Sequence, residues 1–286
     1  MSLTATAGQG AAPAAPSPGS GFRPVPTDVA RSWLLVPGTR AGGLDRVTPD
    51  VTVWDLEDGV AADRKAEARE RVLGRLSERS AWVRIGDAAS VSWSDDLDAI
   101  GRHPGLAGVM LAKAEGAHDI QRTADRLPVG LPIVPMIESG AALELVSEIA
   151  RHPATLRLAF GVGDFRRDTG IGDDPIALAY PRSRMVVASA AAGIASPIDG
   201  PSRCASDELA AAVRHGRTMG LGGKLVLDPG QLDTVERELS PSTAEIGWAE
   251  ELLAAPAPEG IDGSYAPTLA RARRIVELAA AYDLLG

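Results

Sequence analysis

The chain has 286 residues, 45% of them apolar, which suffices for one large α/β barrel with a tail or for two ordinary domains. Its net charge of −9 argues against a nucleic-acid surface, and its single cysteine, Cys204, excludes an intramolecular disulfide and a cysteine-built metal site. No apolar run reaches the roughly 18 to 20 residues of a membrane span, and the N-terminus lacks the charged and apolar regions of a secretory signal, so a reducing cytoplasm is the expected location.

Residues 1–28 are rich in Ala, Pro, Gly and Ser (AAPAAPSPGSGFRPVP), the composition of a flexible tail. From Arg31 the pattern changes. Ser32 to Val36 reads as a buried strand stopped by Pro37-Gly38, and Val51 to Leu56 as a second that runs into Glu57-Asp58-Gly59. A charged amphipathic helix is expected over Asp63 to Leu76. Ala81 to Ile85 is a third strand and Gly108 to Ala112 a fourth, ending at Lys113.

Next come two apolar runs that each stop at an acid: Ile133 to Ile137 before Glu138, and Leu156 to Gly163 before Asp164. Between them, Ser139 to Ala150 has apolar residues at helical spacing with Ser139 as its N-cap. A strand–helix–strand unit this short needs parallel strands. Glu138 and Asp164 therefore fall at one carboxyl-terminal edge, where two carboxylates can share a hard divalent cation. The plainer alternative is that each acid caps the helix that follows it. A seventh strand, Gly193 to Ile198, precedes Asp199, and an eighth, Gly223 to Leu227, precedes Asp228.

Eight strands alternating with helices predict a (β/α)8 TIM barrel over residues 29–240, with residues 241–286 as a C-terminal helical extension covering a barrel mouth, its own or a neighbouring subunit's. The first strand is not followed by the Gly-rich phosphate loop of a doubly wound sheet. In a barrel the strand C-termini share one pocket, so Arg40, Asp55, Glu57, Asp58, Arg84, Lys113, Glu138, Asp164, Asp199 and Asp228 belong to one set. It is acidic with an arginine inside, and a cation at Glu138 and Asp164 would reduce the repulsion and act as a Lewis acid.

The chain has only three lysines, Lys65, Lys113 and Lys224, against 26 arginines. Schiff-base chemistry at Lys113 would need a neutral, desolvated amine, whereas the polar segment Ala112 to Gly116, with Glu115 close by, suits a charged lysine paired with an acid. Lys65 and Arg69, one helical turn apart, read as structural partners of Glu57 or Asp58. The four histidines fall in or beside helices and loops and form no metal or triad spacing.

These residues together resemble the citrate lyase β-subunit-like proteins of the HpcH/HpaI aldolase superfamily. The likeness runs from Arg31 to about Ala280 and is carried by Val36-Pro37-Gly38, Asp55-Leu56-Glu57-Asp58-Gly59 with Lys65 and Arg69, Val83-Arg84-Ile85, Ile137-Glu138-Ser139, Phe160-Gly161-Val162-Gly163-Asp164, Ile198-Asp199-Gly200 and Gly223-Lys224. The resemblance implies a Mg2+-dependent carbon–carbon lyase, with Mn2+ as the alternative ion, acting on a CoA thioester such as citryl-, malyl- or citramalyl-CoA and releasing a 2-oxo acid. By the same resemblance Glu138 and Asp164 hold the metal, and Arg84, Glu138, Asp164 and Gly163 bind substrate. Arg84, Asp55 and Glu57 are catalytic, with Asp58 beside them, and the chain assembles as a homotrimer or hexamer. Where CoA-lyase members carry a C-terminal acid, this chain has Tyr265, with Asp262 three residues earlier. That departure keeps two other readings in play, a CoA-independent 2-oxo acid aldolase or decarboxylase and a non-catalytic binding paralogue.

Overall fold

The computed structural model describes residues 24–40, 42, 47–204, 206–256 and 263–285. Most of the Ala/Pro-rich tail and Asp262 lie outside the described residues. Parallel strands β1 (Ser32–Pro37), β2 (Val51–Asp55), β3 (Ala81–Ile85), β4 (Leu106–Leu111), β5 (Ile133–Ile137), β6 (Ala159–Phe160), β7 (Ile198–Asp199) and β8 (Gly223–Val226) close in sequence order into a barrel. Around them run α1 (Lys65–Glu78), α2 (Val91–Ile100), α3 (Ala117–Ala124), α4 (Gly140–Glu144), α5 (Val146–Arg151), α6 (Val162–Thr169), α7 (Ala179–Ala192), α8 (Ser206–Met219) and α9 (Leu232–Leu239). The chain is a (β/α)8 barrel followed by two further helices, α10 (Thr243–Ala254) and α11 (Tyr265–Ala281).

Strand parity sorts the side chains. Trp33, Leu35, Val53, Trp82, Met110, Val134, Met136, Ala159, Ile198 and Leu225 pack inside the barrel, while Leu34, Val36, Trp54, Val83, Ile85, Val109, Leu111, Ile133, Ile137 and Val226 face the helix layer. Side chains alternate along a strand, so Asp55, Arg84 and Glu138 share the inward face of Val53, Trp82 and Met136 at the carboxyl-terminal end. Asp199 and Lys224 have the opposite parity, next to the inward Ile198 and Leu225.

Two of the expected elements are smaller than their apolar runs. The run from Leu156 to Gly163 contributes a two-residue strand, paired to β7 through Ala159 and Ile198. Val162 already begins α6, so Asp164 sits in a helix's first turn and not at a strand end. The helix expected over Ser139 to Ala150 is capped as predicted, Ser139 accepting from the Ala142 N–H at 3.0 Å, but it breaks at the exposed Leu145.

The amino-terminal end of the barrel is plugged. Trp33 and Trp82 meet edge to face at 5.1 Å between centroids, beneath Arg157. Arg157 is fully buried and donates to the carbonyls of Ser196 (2.7 Å), Ala30 (2.8 Å) and Thr27 (3.2 Å). Burial among apolar groups pushes its guanidinium down to about 10. Val25 and Val29 join this floor, so the packed unit begins before residue 29. The end of α11 docks here too. Tyr282 donates to the Val29 carbonyl at 2.7 Å, its ring lies 4.2 Å from the Arg31 guanidinium, and Leu278 and Ala281 pack beside it. The extension is thus fastened to the face of its own barrel opposite the acids.

Candidate active site

The site is built from the turns after β2 to β5 and the first turn of α6. Asp55 and Arg84 are register partners on β2 and β3, which sets their side chains parallel. Asp55 clamps Arg84 bidentately, Oδ1 accepting from Nε at 2.7 Å and Oδ2 from Nη2 at 2.6 Å. The same carboxylate also accepts the N–H groups of Glu57 (2.9 Å) and Gly59 (2.8 Å). A Cβ at Gly59 would overlap Asp55 Oδ2, which is why the turn after Asp58 ends on glycine. Glu57 lies 3.3 Å from Arg84 Nη1.

Lys113 follows β4 in the left-handed region, at φ 48°. Its N–H donates to Glu138 Oε2 at 3.0 Å, while its ammonium pairs with Glu57, lies 3.5 Å from Asp58 and 3.9 Å from Asp164. Lys113 is thus the charged, acid-paired lysine that its polar segment predicts, and the left-handed backbone turns its side chain back over the β2 turn to Glu57. Glu115 instead accepts from the Ser139 hydroxyl at 2.8 Å. Asp164 is also held by Arg167, one turn along α6, at 2.8 Å.

The charges are strongly coupled. Burial pulls the Arg84 guanidinium down, but Asp55, Glu57 and Glu138 outweigh it and hold the group above its usual range. Burial raises Glu57, against the pull of Arg84 and Lys113. Burial also pushes Asp58 up, yet the hydrogen bond with Glu57 and the charges of Lys113 and Arg84 win, so it stays below the ordinary range. Glu138 is pushed up to about 7 by burial, with the Glu57 and Asp164 charges adding to it against Arg84 and Lys113. A buried carboxylate repelled by two others favours either a proton or a bound cation.

The other members of the strand-end set have different surroundings. Asp199 is 3% exposed and faces outward, paired with Arg182 on α7 at 3.0 Å and with Lys224 at 3.3 Å. Asp228 is exposed and caps the turn after β8 by accepting from the Gly230 N–H at 2.9 Å. Arg40 is exposed. Among the described residues Lys65 forms no ion pair with a carboxylate; its ammonium donates to the carbonyls of Leu56 (2.5 Å) and Glu57 (2.6 Å), and Arg69 pairs with Asp96 on α2 at 3.0 Å. Lys65 thus braces the acidic turn from behind, while Arg69 ties α1 to α2. Tyr265 opens α11, half-buried.

Gly161 is a site residue that the apolar pattern concealed. A Cβ there would overlap the Glu138 side chain at Oε1, Cγ and Cδ. Gly161→Ala should therefore displace Glu138 and lower divalent-cation affinity at least tenfold with the barrel intact. Cation titration followed by heat or fluorescence checks it, and wild-type affinity in that variant would contradict the packing argument. Beside Asp164 a cavity of about 940 Å³ opens between α6, α7 and α8, lined by Gly163, Arg166, Arg182, Arg203 and His215 among others. A second, of about 330 Å³, lies near the floor against Trp54, Arg75 and Trp82, far from the acids.

A closed parallel barrel with its acids and a clamped arginine at the carboxyl-terminal strand ends places the chain in the (β/α)8 class, with this cluster where enzymes of that class carry their active sites. Comparison with known proteins narrows this. Residues 31–229 match the HpcH/HpaI aldolase/citrate lyase family and residues 244–283 the HpcH/HpaI aldolase C-terminal domain, so the chain belongs to that family and is a lyase. It is 30% identical over 237 residues to a (3S)-malyl-CoA thioesterase of Cereibacter sphaeroides, covering 79% of this chain and 82% of the relative. It is 31% identical to the mitochondrial citramalyl-CoA lyase of Homo sapiens, over 79% and 75% of the two chains. Among solved structures, RipC from Yersinia pestis aligns with a TM-score of 0.69 at 28% identity, over 77% of this chain and all of that one. CitE from Mycobacterium tuberculosis, in complex with magnesium, acetoacetate and coenzyme A, shares the fold with a TM-score of 0.72 at 24% identity, over 88% and 99%.

Proposed function

We propose that the chain is a Mg2+-dependent lyase or synthase for the carbon–carbon bond of a hydroxyacyl-CoA thioester of the citryl-, malyl- or citramalyl-CoA type. The observation that carries this reading is the Asp55-clamped Arg84 set beside the buried Glu138 and the nearby Asp164. The donor set fits a hard cation: both carboxylates offer oxygen alone, Glu138 is buried under repulsion from Glu57 and Asp164, and Gly161 leaves its carboxylate room. A Mg2+ or Mn2+ ion held by Glu138 and Asp164 would supply Lewis acidity to the oxygens of a 2-oxo acid.

The remaining roles belong to this chain's side chains. Asp55 fixes the plane of Arg84 through Nε and Nη2, leaving the Nη1 edge, more loosely shared with Glu57 at 3.3 Å, to take a substrate oxygen. In the cleavage direction the hydroxyl passes its proton to solvent and becomes the carbonyl of the 2-oxo acid, the bond between the hydroxyl carbon and the thioester's α-carbon breaks, and its electron pair enters the thioester enolate, whose carbon then takes a proton from solvent. Arg84, held cationic by three acids, balances that charge until carbon takes up a proton. Gly163, at the rim of the larger cavity, lets substrate approach the protein backbone closely.

Cleavage of citryl-, malyl- and citramalyl-CoA and of the matching free acids, with and without chelator, tests this reading. Chelator-sensitive cleavage of one thioester is the expected result. Turnover of free acids alone would favour the CoA-independent aldolase or decarboxylase, which Tyr265 at the position of the family's C-terminal acid recommends. Binding of 2-oxo acids without turnover would leave a binding paralogue. The proposal includes a cytoplasmic homotrimer or hexamer in which the extension reaches a neighbour's mouth. Among the described residues no helix is long and apolar enough to cross a membrane.

A further inference from the structure

Lys113 is half-exposed, yet it touches every acid of the candidate site except Asp55. Its backbone N–H holds Glu138, and its ammonium holds Glu57 with Asp58 at 3.5 Å and Asp164 at 3.9 Å. A lysine in the left-handed region costs on the order of 1 kcal/mol and persists only where its surroundings over-determine it. Here the backbone reversal is what lets one residue face Glu138 with its amide and the β2 turn with its side chain. Arg84 grips Glu57 from the other side at 3.3 Å. Glu57 is thus held between two cations, and Asp58 is drawn to the same ammonium. Among the described residues, no three acid, histidine or cysteine side chains converge to hold a cation together, although five carboxylates line this site.

We infer that Lys113 is a positioning residue that keeps the cation site down to two protein carboxylates, by holding Glu57 and Asp58 away from the gap between Glu138 and Asp164. The inference rests on the proposed cation site and adds what sets its number of ligands. A cation bound by two carboxylates keeps more positions for water and a bidentate 2-oxo acid than one bound by three. Lys113 in this role governs how open the site is, through Glu57 and without touching the reacting atoms.

The test uses Mn2+ alone as the probe, in the full chain, with affinity and the number of exchangeable bound waters read by water-proton relaxation. In Lys113→Met, which keeps the length and loses the charge, Glu57 or Asp58 is released to join the cation. Affinity should then rise by about tenfold while at least one bound water is lost. Pyruvate should compete for fewer positions, so its affinity for the Mn2+-loaded variant should fall. Lys113→Arg, which restores a cation, should return all three readouts toward wild type. Unchanged or weaker Mn2+ binding with an unchanged water count in a folded Lys113→Met overturns the inference. Glu138→Gln separates this from failure of the site itself: if that variant binds Mn2+ as wild type does, the cation lies elsewhere and both readings fall.

Discussion

Glu138→Gln should lower turnover on the order of 10³-fold, while the protein remains folded and gains stability in the absence of divalent cations. The rate loss follows from removing one of two carboxylates that would hold the cation, since Lewis-acid stabilisation contributes several kcal/mol. The stability gain follows from the position of Glu138. Its carboxyl is raised from the ordinary 4.5 to about 7, so the folded chain binds this proton more tightly than the unfolded chain does. In chelator, ionised Glu138 therefore costs the fold nothing below the unfolded value. It costs progressively more as pH climbs to about 7, reaching up to about 3 kcal/mol above it. The glutamine variant has no such cost. Thermal melts in chelator should coincide near pH 4 and separate by pH 8, with the variant higher. Saturating Mg2+ should raise wild type alone. Full activity in the variant would remove Glu138 from the site; equal melting temperatures at pH 8 would mean its carboxylate is better solvated than its burial implies.

Asp199→Ala should strongly destabilise the barrel wall. Asp199 neutralises Lys224, 3% exposed in its side chain, and pairs with Arg182 on the helix layer. Removing it strands two cations, one of them fully enclosed, at a cost of about 3 to 5 kcal/mol. That is a large share of the roughly 5 to 15 kcal/mol that folds a typical domain. Burial raises the Asp199 carboxyl, but Lys224 and Arg182 overcome this and hold it below its usual range. Its contribution is therefore complete above the ordinary carboxylate value and is lost as pH falls through the depressed folded value. Asp228→Ala, which removes a turn cap at an exposed position, should cost only about 1 kcal/mol. Denaturant midpoints of the two variants decide between them. A stable but inactive Asp199→Ala would return this acid to the catalytic pocket.

These two acids show where the sequence could be read and where it could not. Both follow apolar runs and both look like members of a strand-end cluster. Strand parity distinguishes Asp199, because Ile198 points inward and its neighbour must point outward, but parity needs the strand's register, and β7 is only two residues long. Glu138 was readable because β5 is a regular five-residue strand, so Val134, Met136 and Glu138 share a face. The helical position of Asp164 was not readable, since nothing in the apolar run from Leu156 marks where pairing stops and α6 begins. The partner of Lys113 was hidden for a different reason. A left-handed backbone at a lysine has no compositional signal, and it reversed the direction in which the side chain points. Gly161 was visible only as part of a motif; its meaning lies in a side chain 23 positions earlier that occupies the space a methyl group would take.

The plugged floor also gives the molecule an optical gauge. Trp33 and Trp82 are 0% and 2% exposed, contributed by β1 and β3, and lie against each other at 5.1 Å. Two indoles this close and fixed in an edge-to-face pose couple their electronic transitions, and the coupling vanishes once the strands part. The resulting circular-dichroism couplet reports closure of the barrel itself. Because the pair sits at the end away from Glu138 and Arg84, a ligand that enters the mouth should leave the couplet unchanged while it alters the intrinsic emission of the more exposed Trp248 only if the extension moves.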